Sequence, residues 1–336
     1  MSNNVKLLMG QLFTHLSQGI HDPKECYIKA THHDSEEWLK YSKLNKISPI
    51  YEFYPLIIGI LEFKTVRYFY IANSEFVNFK SNIYEEIIEN SGPISFIISN
   101  VKPPIKVNSE SYIENYIFYP KSKEYNGHDI SVITECFNKI YLFRVDDAID
   151  VYKVFSQLLL ESNLKSGILE SQVSQSYIEG LLALNLEFPY IHLSHAIWSS
   201  SHEKTFIELY RIIECIFPIP DLGRLIGKIG NVVNLKDLYE SFENFKNWNI
   251  LNRSSFESLA KELPLTVSQE ICTKIENITN ENAFDFLYRL RNLLVHSSLY
   301  PKRLEYSNHE WKMIFESLLI FINSTYSNHS DILLKS

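Results

Sequence analysis

Residues 284–299 read FDFLYRLRNLLVHSSL, and the periodicity of this stretch decides how the C-terminal half folds. Residues 286–295 hold neither Gly nor Pro and many good helix formers, so one continuous helix is expected. At about 100° per residue, Ala283, Leu287, Leu290 and Leu294 form an apolar stripe, while Asp285, Arg289, Asn292 and His296 gather on the opposite side. Asn292 and His296 are i, i+4 neighbours, close enough to act on one ligand. Arg291 breaks the pattern, because it falls inside the apolar arc between Leu287 and Val295. A guanidinium cannot shed its charge and is costly to desolvate, so it must find a carboxylate or a phosphate. Residues that break a binary pattern in this way are where function or strain tends to sit.

Outward from this helix the chain reads as further helices with short breaks. Asn280 or Asn282 can cap the motif helix, Pro301 closes the segment after it, and 254–263, 267–278 and 311–322 are expected helices. Upstream, Ser199, Ser200 and Ser201 supply caps for a helix carrying Glu208 and Glu214, with Pro218 and Pro220 ending it. Helical pieces are expected within 221–246 around Gly223, Gly227 and Gly230, and another helix at 172–184. Asp147 can cap a helix whose apolar positions Ile149, Tyr152, Val154, Phe155, Leu158 and Leu159 share a face, and Gly167 breaks the pattern after it. The absence of any strand signal here describes a helical bundle.

The N-terminal half has a different composition. A helix at 5–16 is followed by a polar segment, 17–46, with no clear organisation. His21, Cys26, His32 and His33 lie there at a spacing unlike common zinc sites. Runs rich in β-branched and aromatic residues at 56–63, 66–72, 94–99, 112–119 and 130–137 then read as strands, with breaks at Ser91-Gly92-Pro93 and Asn126-Gly127 and a helical turn or two at 84–89. No Gly-rich dinucleotide turn and no Walker loop follows any of them. The aromatics there serve as core or as stacking platforms for bases. The expected class is therefore α+β: a β-rich domain at 1–164, with a sensor, docking or autoinhibitory role by position, and a helical domain at 165–336, the boundary lying near Lys165.

Bulk properties narrow the function classes. A chain of 336 residues has room for two domains, and 21% charged with 14% aromatic residues marks a globular protein. A net charge of -8 argues against broad, sequence-blind binding of nucleic acid, so any attraction for RNA has to be local. Cys26, Cys136, Cys215 and Cys272 are far apart, with no C-x-x-C pair, as expected of reduced thiols in the cytoplasm. The opening MSNNVKLLMGQLFTHL lacks a signal-peptide pattern, and no stretch reads as a membrane span, so a cytoplasmic protein without membrane partners is expected.

The string Arg291-Asn292-Leu293-Leu294-Val295-His296 resembles the R-polar-x-x-x-H motif of HEPN domains, all-helical RNA-cleaving modules of toxin, abortive-infection and other antiviral systems. The run 206–217, FIELYRIIECIF, is similar to the early helix of the Apea-like branch. Tyr288 ahead of the motif and the helix from Trp311 also suit that branch, while Ser297 stands where many relatives have Gly. The resemblance covers roughly the C-terminal half. It implies a metal-independent, cofactor-free endoribonuclease of a bacterial defence or toxin system. In that reading His296 is the base for the ribose 2′-hydroxyl, Arg291 holds the phosphate, and Asn292 bonds the phosphate or His296. Glu208, Glu214, Arg289 and Tyr288 support them.

The resemblance also implies a homodimer that joins two motifs in one cleft. The partners it implies are an RNA substrate and an antitoxin, trigger protein or phage component. Helix geometry by itself nominates Arg289, on the face of Asn292 and His296, whereas Arg291 lies about 140° from His296. The alternatives are a non-catalytic HEPN-like module that binds RNA, a nucleotide or a partner, and a structural helical dimer. In the structural version Arg291 pairs with Glu208 or Glu214, and His296 caps its helix.

Overall fold

The computed structural model describes residues 3–18, 26–45, 56–75, 78–87, 90–106, 109–118, 125–145, 150–162, 168–184, 186–229, 252–296 and 305–333. His21, Asp147, Lys165, Gly167, Gly230, Ser297 and Pro301, and the expected helical pieces beyond residue 229, lie outside them. The chain divides into two compact units, 1–154 and 155–336, and is mixed α+β.

The first unit is built on a four-stranded antiparallel sheet in the order β1 (Ser42–Asn45), β2 (Ile57–Phe63), β3 (Val66–Ser74) and β4 (Lys139–Val145). The β2–β3 hairpin follows the expected strands at 56–63 and 66–72. Gly59 faces Tyr70 across it, and a Cβ on Gly59 would meet the Tyr70 hydroxyl at 2.3 Å, so only glycine leaves room for that ring. Helices α1 (Asn3–Ser17), α2 (Ser35–Tyr41) and α3 (Ser91–Val101) contribute to the core shared with this sheet. Trp38 of α2 stacks on Phe63 at 3.9 Å and meets Tyr68 edge-on. The polar segment 17–46 thus carries α2 and the edge strand β1.

Three expected strands are helical instead. The run at 94–99 lies in α3, where Phe96, Ile97 and Ile98 are all buried; a helix enclosed on most sides has the same short apolar run as a buried strand. Asn90 caps α3 by accepting from Gly92 N at 3.0 Å, and Pro93 occupies the first turn, where its missing N–H costs nothing. What reads as a break is a helix start. Residues 112–118 pass from α4 (Glu110–Tyr112) into a π-helical turn, Ile113–Phe118. Residues 130–134 form α5 (Ile130–Thr134), and the strand the sequence placed at 130–137 begins only at Lys139. The expected turn at 84–89 is extended in its described part, with Glu86 bridged to Phe143.

Helix α6 (Val151–Glu161) is capped by Asp150, which accepts from Tyr152 N at 2.8 Å. The division between units falls within it. The second unit then contains α7 (Gln172–Ala183), α8 (Tyr190–Trp198), α9 (His202–Glu214), α10 (Pro218–Ile229), α11 (Asn252–Glu262), α12 (Leu265–Glu276), α13 (Ala283–His296), α14 (Asn308–Asn328) and the short α15 (Ser330–Leu333). Pro218 and Pro220 do not end α9, which stops at Glu214; they open α10, where a first-turn proline is well tolerated. Helix α14 is the spine. It starts in a Ser307–Glu310 capping box, packs against α7, α9 and α12, and buries Glu316 between Lys274 and Ser171 at 2.8 and 2.9 Å. Among the described residues no helix is long and apolar enough to cross a membrane.

Candidate active site on helix α13

Helix α13 is the continuous helix that residues 286–295 dictate. Asn282 caps it, its Oδ1 accepting from Phe284 N at 3.0 Å and Asp285 N at 3.3 Å. Ala283, Phe286, Leu287 and Leu290 are buried, and α13 packs against α9, α11 and α12. The apolar arc opens at its edge: Leu287 is enclosed, while Val295 is 45% exposed and Leu293, beyond the arc's other edge, is 40% exposed. Arg291 stands where burial gives way to solvent. That position lets one guanidinium face a half-buried carboxylate and still be reached from outside.

The side chain of Arg291 is 16% exposed and that of Glu214, the last residue of α9, 26%. Arg291 Nε and Nη2 approach Glu214 Oε1 at 2.9 and 2.7 Å, and Nη1 donates to Asn292 Oδ1 at 3.1 Å. The carboxylate demanded by a guanidinium in an apolar arc is therefore Glu214. Asn292 also lines an open hollow of about 580 Å³ with Arg253, Glu281, Asp285, Tyr288, Arg289 and Leu293. It ties the Arg291–Glu214 pair to a surface that a ligand can enter.

The hollow's own charges are balanced. Arg289 Nε donates to Glu281 at 2.9 Å and its guanidinium lies over the Phe286 ring at 5.6 Å. Arg253 contacts both Glu257 at 2.9 Å and Asp285 at 3.1 Å. Tyr288 packs near Phe256, ring centroids 6.3 Å apart, and turns toward the hollow. His296 is the last residue of α13, one turn beyond Asn292; its side chain is outside the described residues.

Of the residues nominated from sequence, Arg291, Asn292 and Glu214 come together, and Tyr288, Arg289 and Asn292 share the hollow. Glu208 joins a different group. On α9 it lies about 120° around the axis from Glu214. Its Oε2 accepts from His192 Nδ1 at 2.8 Å and lies 3.5 Å from His195 Nδ1, and its Oε1 accepts from Arg211 at 2.8 Å. Burial pushes this carboxyl up, but the two imidazoles and the guanidinium outweigh it and hold it down at about 2. His192 and His195 break no pattern in the sequence, and their i, i+3 spacing ahead of a Glu-bearing helix is the one signal that marks them. Ligand atoms of His192, His195 and Glu208 all lie within 4.8 Å of one another. No family model, curated protein or solved structure matches this chain.

Proposed function

We propose that the chain is a metal-independent endoribonuclease of a bacterial defence or toxin system, acting through Arg291, Asn292 and His296 on an HEPN-like helical bundle. The observation that carries this reading is the contact of Arg291 with Asn292 at the rim of the α13 hollow. It sets a cation and a hydrogen-bonding amide one helical turn before an imidazole-bearing residue. His296 removes the ribose 2′-hydroxyl proton, the 2′-oxygen attacks the adjacent phosphorus, and the bond to the 5′-oxygen breaks. Arg291 offsets the charge gathering on the phosphate oxygens. A proton returned to the departing 5′-oxygen by His296 of a second copy completes the step and leaves a 2′,3′-cyclic phosphate. Exposed Leu293 and Val295 beside the motif give a second copy an apolar footing.

The test is purified chain with mixed RNA in EDTA, wild type beside His296→Ala, with the product ends identified. Cyclic-phosphate ends are expected from wild type, with their yield sharply reduced in His296→Ala. Cleavage that needs a divalent cation, or that is undiminished in His296→Ala, sinks the reading.

A second reading has its own observation. Two N–H groups of Arg291 are already spent on Glu214, as in a structural ion pair, which favours a non-catalytic RNA-, nucleotide- or partner-binding module. In that case wild type cleaves no RNA under any condition, and Arg291→Ala is mainly a stability variant.

A further inference from the structure

We infer that His192, His195 and Glu208 form a binding site for one zinc-class divalent ion, linking α8 to α9 away from the α13 hollow. Three residues on consecutive helices build it. Their i, i+3 spacing puts both histidines on one face of α8, and Glu208 on α9 meets that face. Around a tetrahedral zinc, with bonds near 2.0–2.1 Å, neighbouring donor atoms stand about 3.3 Å apart. The Glu208 oxygen lies 2.8 Å from one imidazole nitrogen and 3.5 Å from the other, and all three donor atoms lie within 4.8 Å of one another, so closing the imidazole pair by up to about 1.5 Å brings the donors to ion-binding distance.

The donor chemistry selects the ion. Two imidazoles and one carboxylate suit zinc, cobalt or nickel, whereas magnesium and calcium take oxygen ligands. Glu208 and His195 are buried, while His192 is about a quarter exposed, which leaves an entry side and a fourth position for water. Arg211 holds the second carboxylate oxygen, the outer support that ligating carboxylates usually have. Its side chain is about half exposed, so solvent screens its repulsion of the ion. An ion at this place takes over the role of the imidazole N–H groups that now face Oε2, so each ligating imidazole must present a bare ring nitrogen to the ion.

The cluster uses none of Arg291, Asn292 and His296, so ion binding here stands or falls separately from RNA cleavage. The test uses the full chain in a Cys215→Ser, Cys272→Ser background, which removes the two thiols that are not buried. It is stripped with chelator, then titrated with Zn2+ by calorimetry and with Co2+ by visible absorption. One saturable equivalent and a higher thermal midpoint are expected. Glu208→Gln and His192→Gln should each weaken binding by about tenfold or more, with helicity unchanged. If Glu208→Gln does not fold, His192→Gln decides, since its side chain is the most exposed of the three. Absence of saturable binding, or undiminished binding in folded His192→Gln, overturns the inference and leaves the cluster a hydrogen-bonded brace.

Discussion

Glu208 and Glu214 sit on the same helix, and the cations each one meets divide the second unit into two chemical districts. Glu208 points to α8, is almost fully enclosed, and is bonded on both oxygens by His192, His195 and Arg211. Glu214 ends the helix, keeps a quarter of its side chain in solvent, and meets Arg291 through one oxygen. A separation of six residues on an α-helix is enough to aim two identical side chains in different directions. The enclosed carboxylate is fixed by its neighbours. The half-open one leaves its arginine within reach of a competing anion. A phosphate can replace a carboxylate on a guanidinium only where water already reaches the pair, a condition that Arg291 and Glu214 meet with 16% and 26% of their side chains exposed.

The sharpest test of this contrast is at the open district. Arg291→Ala should abolish RNA cleavage, and His296→Ala should lower it by about 10²–10⁴-fold, the usual share of a general base. Assayed by thermal melts, His296→Ala should be near wild type, whereas Arg291→Ala should lose about 1–3 kcal/mol by leaving Glu214 unpaired. Glu214→Gln sharpens the point. It keeps the shape of the pair but removes the competing charge, so an enzyme should survive this change while a structural pair weakens. If Glu214→Gln abolishes cleavage in a folded protein, Arg291 depends on that carboxylate for its placement and the two districts differ less than proposed.

The enclosed district should announce itself in acid. With its folded-state value held at about 2, against about 4.3 in an unfolded chain, Glu208 contributes stability above pH 4.3 that fades as the pH falls toward 2. The shift corresponds to about 3 kcal/mol. Chemical denaturation between pH 5 and pH 2 should therefore show a steeper loss for wild type than for Glu208→Gln, which has no carboxyl to protonate. Parallel acid limbs for the two proteins would show that the imidazoles and Arg211 do not hold this group down.

The sequence made the open district legible and hid the enclosed one, and the reasons are local. Helix α13 is announced by unbroken periodicity and an Asn cap, and Arg291 by its conflict with that periodicity. Its partner could be narrowed to Glu208 or Glu214 but not chosen, since the choice depends on how α9 is rotated against α13. His192 and His195 belong to a helix whose apolar residues, Tyr190, Leu193, Ala196 and Ile197, form a buried core face; two histidines beside such a face look like filler until α9 is laid against them. In the first unit, the hairpin at β2 and β3 was readable because a two-residue turn at Lys64 and Thr65 separates two strand-like runs. The run at 94–99 was not, because a helix enclosed on most sides loses the amphipathic period that distinguishes it from a strand. Lys139–Val145 is masked for the same kind of reason: the apolar run just ahead of it, 130–137, makes an equally good strand and is mostly helix and turn.

The smallest expected effect separates helix geometry from motif resemblance. Arg289 shares the face of Asn292 and His296, so a reading from periodicity alone makes it the phosphate-binding arginine. Its surroundings argue otherwise. It is about half exposed and paired with an equally exposed Glu281, and such surface pairs contribute only about 0–1 kcal/mol. Its stacking on Phe286 holds the side chain along the helix rather than freeing it for a reacting phosphate. Arg289→Ala should thus leave the melting curve nearly unchanged and raise KM a few-fold at low salt, through the loss of one local positive charge, with kcat intact. Raising the ionic strength should erase even that difference, as expected of a screened surface charge. A collapse of kcat in Arg289→Ala, with Arg291→Ala active, would transfer the catalytic assignment to Arg289 and make the Arg291–Glu214 pair the structural district of the two.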